Sequence, residues 1–110
     1  MSEQTLRITI KSFFLPAQRV KVLKPGEYYV GRDVSCDIVI PDPYVSRRHL
    51  RIFFDSGRWF IEDLGSTNGT FINGEDIRGR GAIELKPGME IVLGLSVIIV
   101  EALGSESRQT

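Results

Sequence analysis

Apolar residues in this chain recur at every second position in short runs, and Gly, Pro, Asn or Asp ends each run before a helical stripe can form. Alternation at period two places successive side chains on opposite faces of an extended strand. Such runs fall near Leu6–Ile10, Val20–Leu23, Tyr28–Val30, Asp37–Ile40, His49–Phe54 and Trp59–Asp63. Further runs fall near Thr70–Ile72, Glu90–Leu93 and Val97–Ala102, with shorter ones around Glu75–Arg78 and Ala82–Leu85. No window of a dozen residues carries a helical stripe. Many short strands at this spacing predict an all-β protein, an antiparallel sandwich or barrel.

Two segments echo one another, "LKPGEYYVG" at Leu23–Gly31 and "LKPGMEIVLG" at Leu85–Gly94. Each reads as a Pro-Gly turn opening a strand, with the glycine at positive φ. A single echo is two similar turns rather than a repeat architecture. Two Asn-Gly pairs, Asn68-Gly69 and Asn73-Gly74, lie five residues apart. Asn-Gly between strand-like residues is the signature of a two-residue hairpin. Asn73-Gly74, between "TFI" and "EDI", fits that turn, whereas Asn68-Gly69 sits in a loop too decorated for a minimal reversal.

With 110 residues the chain suits one domain with its own core. The formal net charge is zero, which speaks against nucleic-acid or anionic-membrane binding by bulk charge. Cys36 is the only cysteine, so neither an internal disulfide nor a thiolate zinc cluster can form, and a cytoplasmic setting is expected. The segment "MSEQTLRITIK" lacks the apolar stretch of a secretory signal, and the longest apolar run, Val97–Val100, is far too short to span a membrane.

Four polar clusters interrupt the strand pattern. Gly31-Arg32 ends the strand "YYV", where an arginine can project over the sheet rim. "VSRRHL" (Val45–Leu50) brings Ser46 next to Arg47 and Arg48, a hydroxyl and cations suited to a dianionic oxyanion. "GSTNGT" (Gly65–Thr70) offers loop amides that could gather into an anion-binding nest, hydroxyls on Ser66, Thr67 and Thr70, and the two-sided amide of Asn68. "RGRG" (Arg78–Gly81) reads as a solvated loop.

Catalytic machinery is not evident. An extended chain would put Ser46 and His49 on opposite faces, and His49, the only histidine, reads as a buried structural group. Nucleophile-elbow, phosphate-loop and dinucleotide-loop motifs are absent, Asp42 stands where a cysteine phosphatase loop would need Arg, and no carboxylates or histidines cluster for a metal. Neither a cofactor nor a metal is expected.

Taken in order, "GR", "DIVI", "VSRRHL", "WFIEDLGSTNGTFING" and "LKPGMEIVLG" resemble the forkhead-associated (FHA) domain, over nearly the whole chain. The resemblance implies an eleven-stranded antiparallel β-sandwich of two sheets, FHA/SMAD-like, with binding loops at one rim. It places the domain at residues 6–103, after a short segment 1–5 and before a disordered tail 104–110. It implies a non-catalytic module that recognises phosphothreonine on partner proteins, in signalling or regulated assembly, downstream of a Ser/Thr protein kinase. Matched motif by motif, Arg32, Ser46, Arg47 and Thr67 take the phosphate-binding positions and Asn68 the position that holds the peptide backbone. Gly31, His49 and Gly69 take positions that shape the loops. The alternative is a phosphate-independent interaction or oligomerisation scaffold with the same fold.

Overall fold

The structure, a computed structural model, describes residues 4–104. It has eleven strands and no helix among the described residues. In chain order these are β1 (Leu6–Ser12), β2 (Arg19–Leu23), β3 (Glu27–Gly31), β4 (Ile38–Val39), β5 (Leu50–Asp55) and β6 (Arg58–Asp63). They are followed by β7 (Phe71–Ile72), β8 (Glu75–Asp76), β9 (Ile83–Glu84), β10 (Glu90–Leu93) and β11 (Ser96–Leu103). A six-stranded sheet runs β2-β1-β11-β10-β7-β8, and a five-stranded sheet runs β4-β3-β5-β6-β9. The expected eleven-stranded sandwich is present, with one departure from the antiparallel rule: β4 pairs parallel to β3 through Val30↔Ile38 and Gly31↔Val39. That pairing is short because the connection between the two strands is only a tight loop, without the long crossover a full parallel ladder needs.

The alternation read from sequence is what fills the interior. Leu6, Ile8 and Ile10 of β1 meet Ile91, Leu93, Ile98 and Val100 on one sheet, and Val30, Leu50, Ile52 and Ile61 face them from the other. Trp59 closes one end, stacked on Tyr28 at 6.3 Å and edge-on to Phe54 at 5.3 Å, with its indole N–H donating to the Gln4 carbonyl. β1 and β11 lie side by side, and the Gly104 N–H donates to the Thr5 carbonyl at 2.7 Å. Gly104 is therefore held against the sheet, while the rest of the expected tail lies outside the described residues. No helix is long and apolar enough to cross a membrane among the described residues.

The turn chemistry divides as the two Asn-Gly pairs suggested. Asn73 (φ 54°) and Gly74 (φ 80°) form the two-residue turn between β7 and β8, both at positive φ as a mirror-type hairpin requires. The echoed Pro-Gly turns are not equivalent: Gly88 has φ 89°, but Gly26 is not among the positive-φ residues. Gly26 is held instead by the neighbouring strand, its carbonyl accepting from the Phe54 N–H at 3.0 Å.

Candidate functional site

The loops β3–β4, β4–β5 and β6–β7 converge on one rim of the sandwich, and their backbones are stitched directly to one another. The Arg32 N–H donates to the Ser46 carbonyl at 3.0 Å and the Asp33 N–H to the Arg47 carbonyl at 3.2 Å. This close approach explains Gly31. A Cβ there would stand 2.0 Å from the Arg47 carbonyl oxygen, so any side chain would push the Ser46–Arg48 turn off the strand. The Arg32 side chain is exposed and tethered by its Nε to the Val45 carbonyl at 2.9 Å. Its two terminal nitrogens form no hydrogen bond with other described residues, and so they present a free donor edge to solvent.

Ser46 is the hinge between two of the loops. Its Oγ accepts the Thr67 N–H at 3.0 Å, which leaves the hydroxyl proton free to donate outward. The Thr67 amide is spent in this contact, but its side chain is exposed beside Ser46. Asn68 Nδ2 donates to the Tyr44 carbonyl at 2.9 Å, leaving Oδ1 available as an acceptor. The neighbouring arginines part company. Arg47 is exposed and its side chain makes no hydrogen bond or ion pair among the described residues, whereas the Arg48 guanidinium lies 4.2 Å from the centre of the Tyr29 ring. Arg32, Arg47, Thr67 and Asn68 are exposed on one rim around the half-buried Ser46, with Gly31, His49 and Gly69 beneath it.

Two sequence expectations need correction here. The segment from Ser46 to His49 is a turn rather than extended chain, so the two side chains do not point to opposite faces. His49 folds back beneath the turn: Nδ1 accepts the Ser46 N–H at 2.9 Å, and Nε2–H donates to the Gly69 carbonyl at 3.0 Å. The fully buried ring therefore joins the Ser46 and Gly69 loops and makes no hydrogen bond to the Ser46 hydroxyl.

The second correction concerns the expected anion nest. Four of the six amides of "GSTNGT" are already engaged within the protein: Thr67 by the Ser46 hydroxyl oxygen, Gly69 by the Ser66 hydroxyl oxygen, and Gly65 and Ser66 by Asp63, which the sequence pattern marks only as the end of a strand. Its Oδ1 accepts the Gly65 N–H at 2.7 Å and the Ser66 N–H at 2.8 Å. Its Oδ2 accepts the Ser66 hydroxyl at 2.6 Å and the Thr70 hydroxyl at 2.5 Å. Ser66 and Thr70 are buried and point inward, leaving Thr67 and Asn68 as the exposed residues of the loop tip. Burial pushes the Asp63 carboxyl upward, and the donors from Ser66, Thr70 and Gly65 outweigh it, so the group stays ionised below the usual carboxylate range.

Arg78 is exposed, as expected for the "RGRG" loop, but it also makes internal contacts that the sequence pattern does not mark. Its Nη1 donates to the Thr67 carbonyl at 2.9 Å, and its Nε and Nη2 reach Asp76 Oδ2 at 2.8 and 2.6 Å. Arg78 braces the loop tip from behind. Gly69, at φ 95°, sits where a Cβ would come within 2.9 Å of the Phe71 ring, so the tip passes over that ring only with glycine there.

Two predictions arise from these contacts. Burial holds the His49 pKa below its ordinary value of 6.5, against the opposing pull of the Gly69 carbonyl, Asp63 and Asp42. The folded chain therefore binds this proton less readily than the unfolded one. The stability carried by the neutral ring is complete above pH 6.5 and is lost as pH falls from there towards the lower folded value. Thermal unfolding between pH 7 and 5 should show a falling Tm, at a slope of at most about 1.4 kcal/mol per pH unit. Since His49 is the only histidine, His49→Gln should be less stable throughout and should flatten that slope.

The Asn-Gly pairs give the other. Asn73→Ala forces a Cβ-bearing residue with no local hydrogen-bonding side chain into positive φ, and should cost about 1 kcal/mol of stability without altering ligand binding. Asn68, not among the positive-φ residues, should show the reverse: Asn68→Ala weakens binding and costs stability no more than one exposed hydrogen bond. Equal behaviour of the two variants in melting and titration would break this division.

The architecture and this rim define an all-β sandwich whose chemistry is carried on loops rather than in a cavity. The chain belongs to the FHA domain family, whose pattern matches residues 28–94. An FHA domain-containing protein of Arabidopsis thaliana is 45% identical over 73 residues, covering 64% of this chain and 19% of that protein. FhaB of Mycobacterium tuberculosis is 38% identical over 71 residues, covering 53% of this chain and 46% of that protein. The chain thus spans less than half the length of these two relatives. Among solved structures, one from a study of phosphothreonine-dependent FHA domain interactions has a TM-score of 0.73 at 34% identity, covering 87% of this chain and 96% of that one. The resemblance drawn from the sequence motifs is borne out. Domains of this family are non-catalytic binding modules.

Proposed function

We propose that this domain reads phosphothreonine on partner proteins and performs no catalysis of its own. The observation that carries the reading is the convergence of unspent donors on one rigid rim. The Arg32 terminal nitrogens, the Ser46 hydroxyl, the Thr67 hydroxyl and the Arg47 guanidinium all face solvent from loops locked to one another. A phosphate monoester carries about −1.5 to −2 charge and three acceptor oxygens, which this set can satisfy without a basic surface overall. In this reading Arg32 forms the ion pair, Ser46 donates to a second oxygen, and Thr67 and Arg47 close the remaining side. Asn68 Oδ1 accepts from the bound peptide backbone while its Nδ2 stays on the Tyr44 carbonyl.

The residues flanking the phosphothreonine would lie over a groove of about 360 Å³ lined by Tyr44, Asn68, Phe71, Val92, Gly94 and Leu95. Its walls are largely apolar, so the domain should favour an apolar side chain near the phosphothreonine. The phosphothreonine-dependent interactions studied for a domain of similar fold support the same reading. A Ser/Thr kinase acting on the partner then controls the interaction, and the cytoplasm, where such kinases act, is the setting that fits. A degenerate phosphothreonine peptide array probed with the wild-type domain tests this. Capture of a subset of phosphorylated spots, with their unphosphorylated counterparts blank, supports the reading; equal capture of both forms sinks it.

A further inference from the structure

Four of the nine exposed large apolar side chains among the described residues, Phe13, Tyr44, Val92 and Leu95, lie along one band rather than scattered over the surface. The groove beside Asn68 continues, through the shared residues Val92, Gly94 and Leu95, into a second groove of about 390 Å³ bounded by Lys11, Phe13 and Val97. Phe13 is 84% exposed and Leu95 53%, although each could have been polar without loss to the core. Contiguous apolar surface of this kind marks a contact region, whereas single exposed apolar residues do not.

The band is also held in fixed register with the phosphate rim. Asp42, fully buried, accepts the Tyr44 N–H at 2.8 Å on one oxygen. Its other oxygen accepts the Leu95 N–H at 2.7 Å and the Ser96 hydroxyl at 2.7 Å. The Phe13 N–H in turn donates to the Leu95 carbonyl at 3.1 Å. One buried carboxylate therefore ties the loop that carries Ser46 to the β10–β11 turn, and that turn holds Phe13 of the β1–β2 loop through the Leu95 carbonyl. Gly94 allows this: at φ 59°, a Cβ there would fall 2.8 Å from the Asp42 carboxylate.

We propose that the outer groove bounded by Lys11, Phe13, Leu95 and Val97 is a second docking site. Its occupant is an apolar segment of the same phosphorylated partner, beyond the residues that flank the phosphothreonine. This rests on the phosphothreonine reading. A chain anchored at Arg32 and Ser46 and laid past Asn68 runs onto this surface without leaving an apolar track, and Lys11 is the only charged residue lining it. Binding is then bipartite: the phosphate supplies the switch, and the outer groove adds affinity and selects among phosphorylated chains.

The test uses the tightest-binding phosphopeptide from a degenerate phosphothreonine library, labelled with fluorescein. It is compared with the same peptide extended at either end by Gly-Ser spacers of increasing length terminating in Leu or Phe. Anisotropy titrations should show at least one extension binding wild type about tenfold tighter than the parent, the gain expected from burying one such side chain. Phe13→Ser combined with Val97→Thr, two residues that line only the outer groove, should erase that gain and leave the parent peptide's affinity unchanged. If the parent binds and no extension helps, or the gain survives in the double variant, this proposal is overturned while the phosphothreonine reading stands. If no library peptide binds, both fall. Self-association of the free domain that the double variant abolishes would assign the surface to a second copy and overturn the proposal.

Discussion

Replacing Arg32 by alanine should lower phosphopeptide affinity by at least about a hundredfold, the usual scale for removing one partner of a hydrogen-bonded charge pair. The same change should cost no more than about 1 kcal/mol of stability, because the side chain is exposed and its one hydrogen bond among the described residues is from Nε to the Val45 carbonyl. The backbone contacts that shape the rim come from the Arg32 and Asp33 amides, which the substitution leaves in place. Arg32→Lys discriminates further. A lysine keeps the charge but loses the forked donor edge, so it should recover only part of the affinity. Calorimetric titration alongside thermal melts separates the two quantities. Retained binding in Arg32→Ala would remove the phosphate from the rim described here.

Asp63→Ala should behave in the opposite way, losing fold and binding together. Four donors converge on this carboxylate from Gly65, Ser66 and Thr70, two amides and two hydroxyls, and both hydroxyls are buried. Removing the acceptor leaves buried donors without partners, at about 1–3 kcal/mol for each that cannot reach water. A total above about 3 kcal/mol would lower Tm by more than about 10 °C. The loop tip would also lose its floor. Thr67 and Asn68 are placed by that floor, by the Ser46 hydroxyl and by Arg78, so phosphopeptide affinity should fall even at temperatures where the variant remains folded. Lowering the pH should act in the same direction: the folded Asp63 pKa lies below its ordinary value, so this stabilisation is full above pH 3.8 and fades as pH drops below it. A melt of Asp63→Ala indistinguishable from wild type would show that the carboxylate is not what organises the loop.

The sandwich was legible because its core is built by local alternation. Leu6, Ile8 and Ile10, or Leu50 and Ile52, announce their inward face within one strand. The edges of the shortest strands were less so. β7, β8 and β9 each pair over two residues, and their ends are set by loop hydrogen bonds such as Ile77 N–H to the Thr70 carbonyl rather than by pattern. The exposed rim residues could be named because family motifs carry them. What held them was hidden for a different reason. Asp63 acts through neighbours two to seven residues away, and the sequence Asp-x-Gly-Ser does carry a recognisable turn signal. Asp42 and Arg78 instead find partners through tertiary contact, Asp42 across 53 residues to Leu95 and Arg78 across 11 to Thr67. No pattern in the chain marks such pairs. The same limit made Ser46 and His49 look like opposed residues of a strand, when a turn brings the histidine back beneath the serine.

The central claim is that this rim distinguishes a phosphorylated threonine from the same residue without phosphate. Calorimetric titration of the wild-type domain with one library-selected peptide, in phosphothreonine and unphosphorylated forms, tests it most directly. The account predicts saturable one-to-one binding of the phosphothreonine form and no measurable heat from the other. Comparable affinity for the two forms would contradict it.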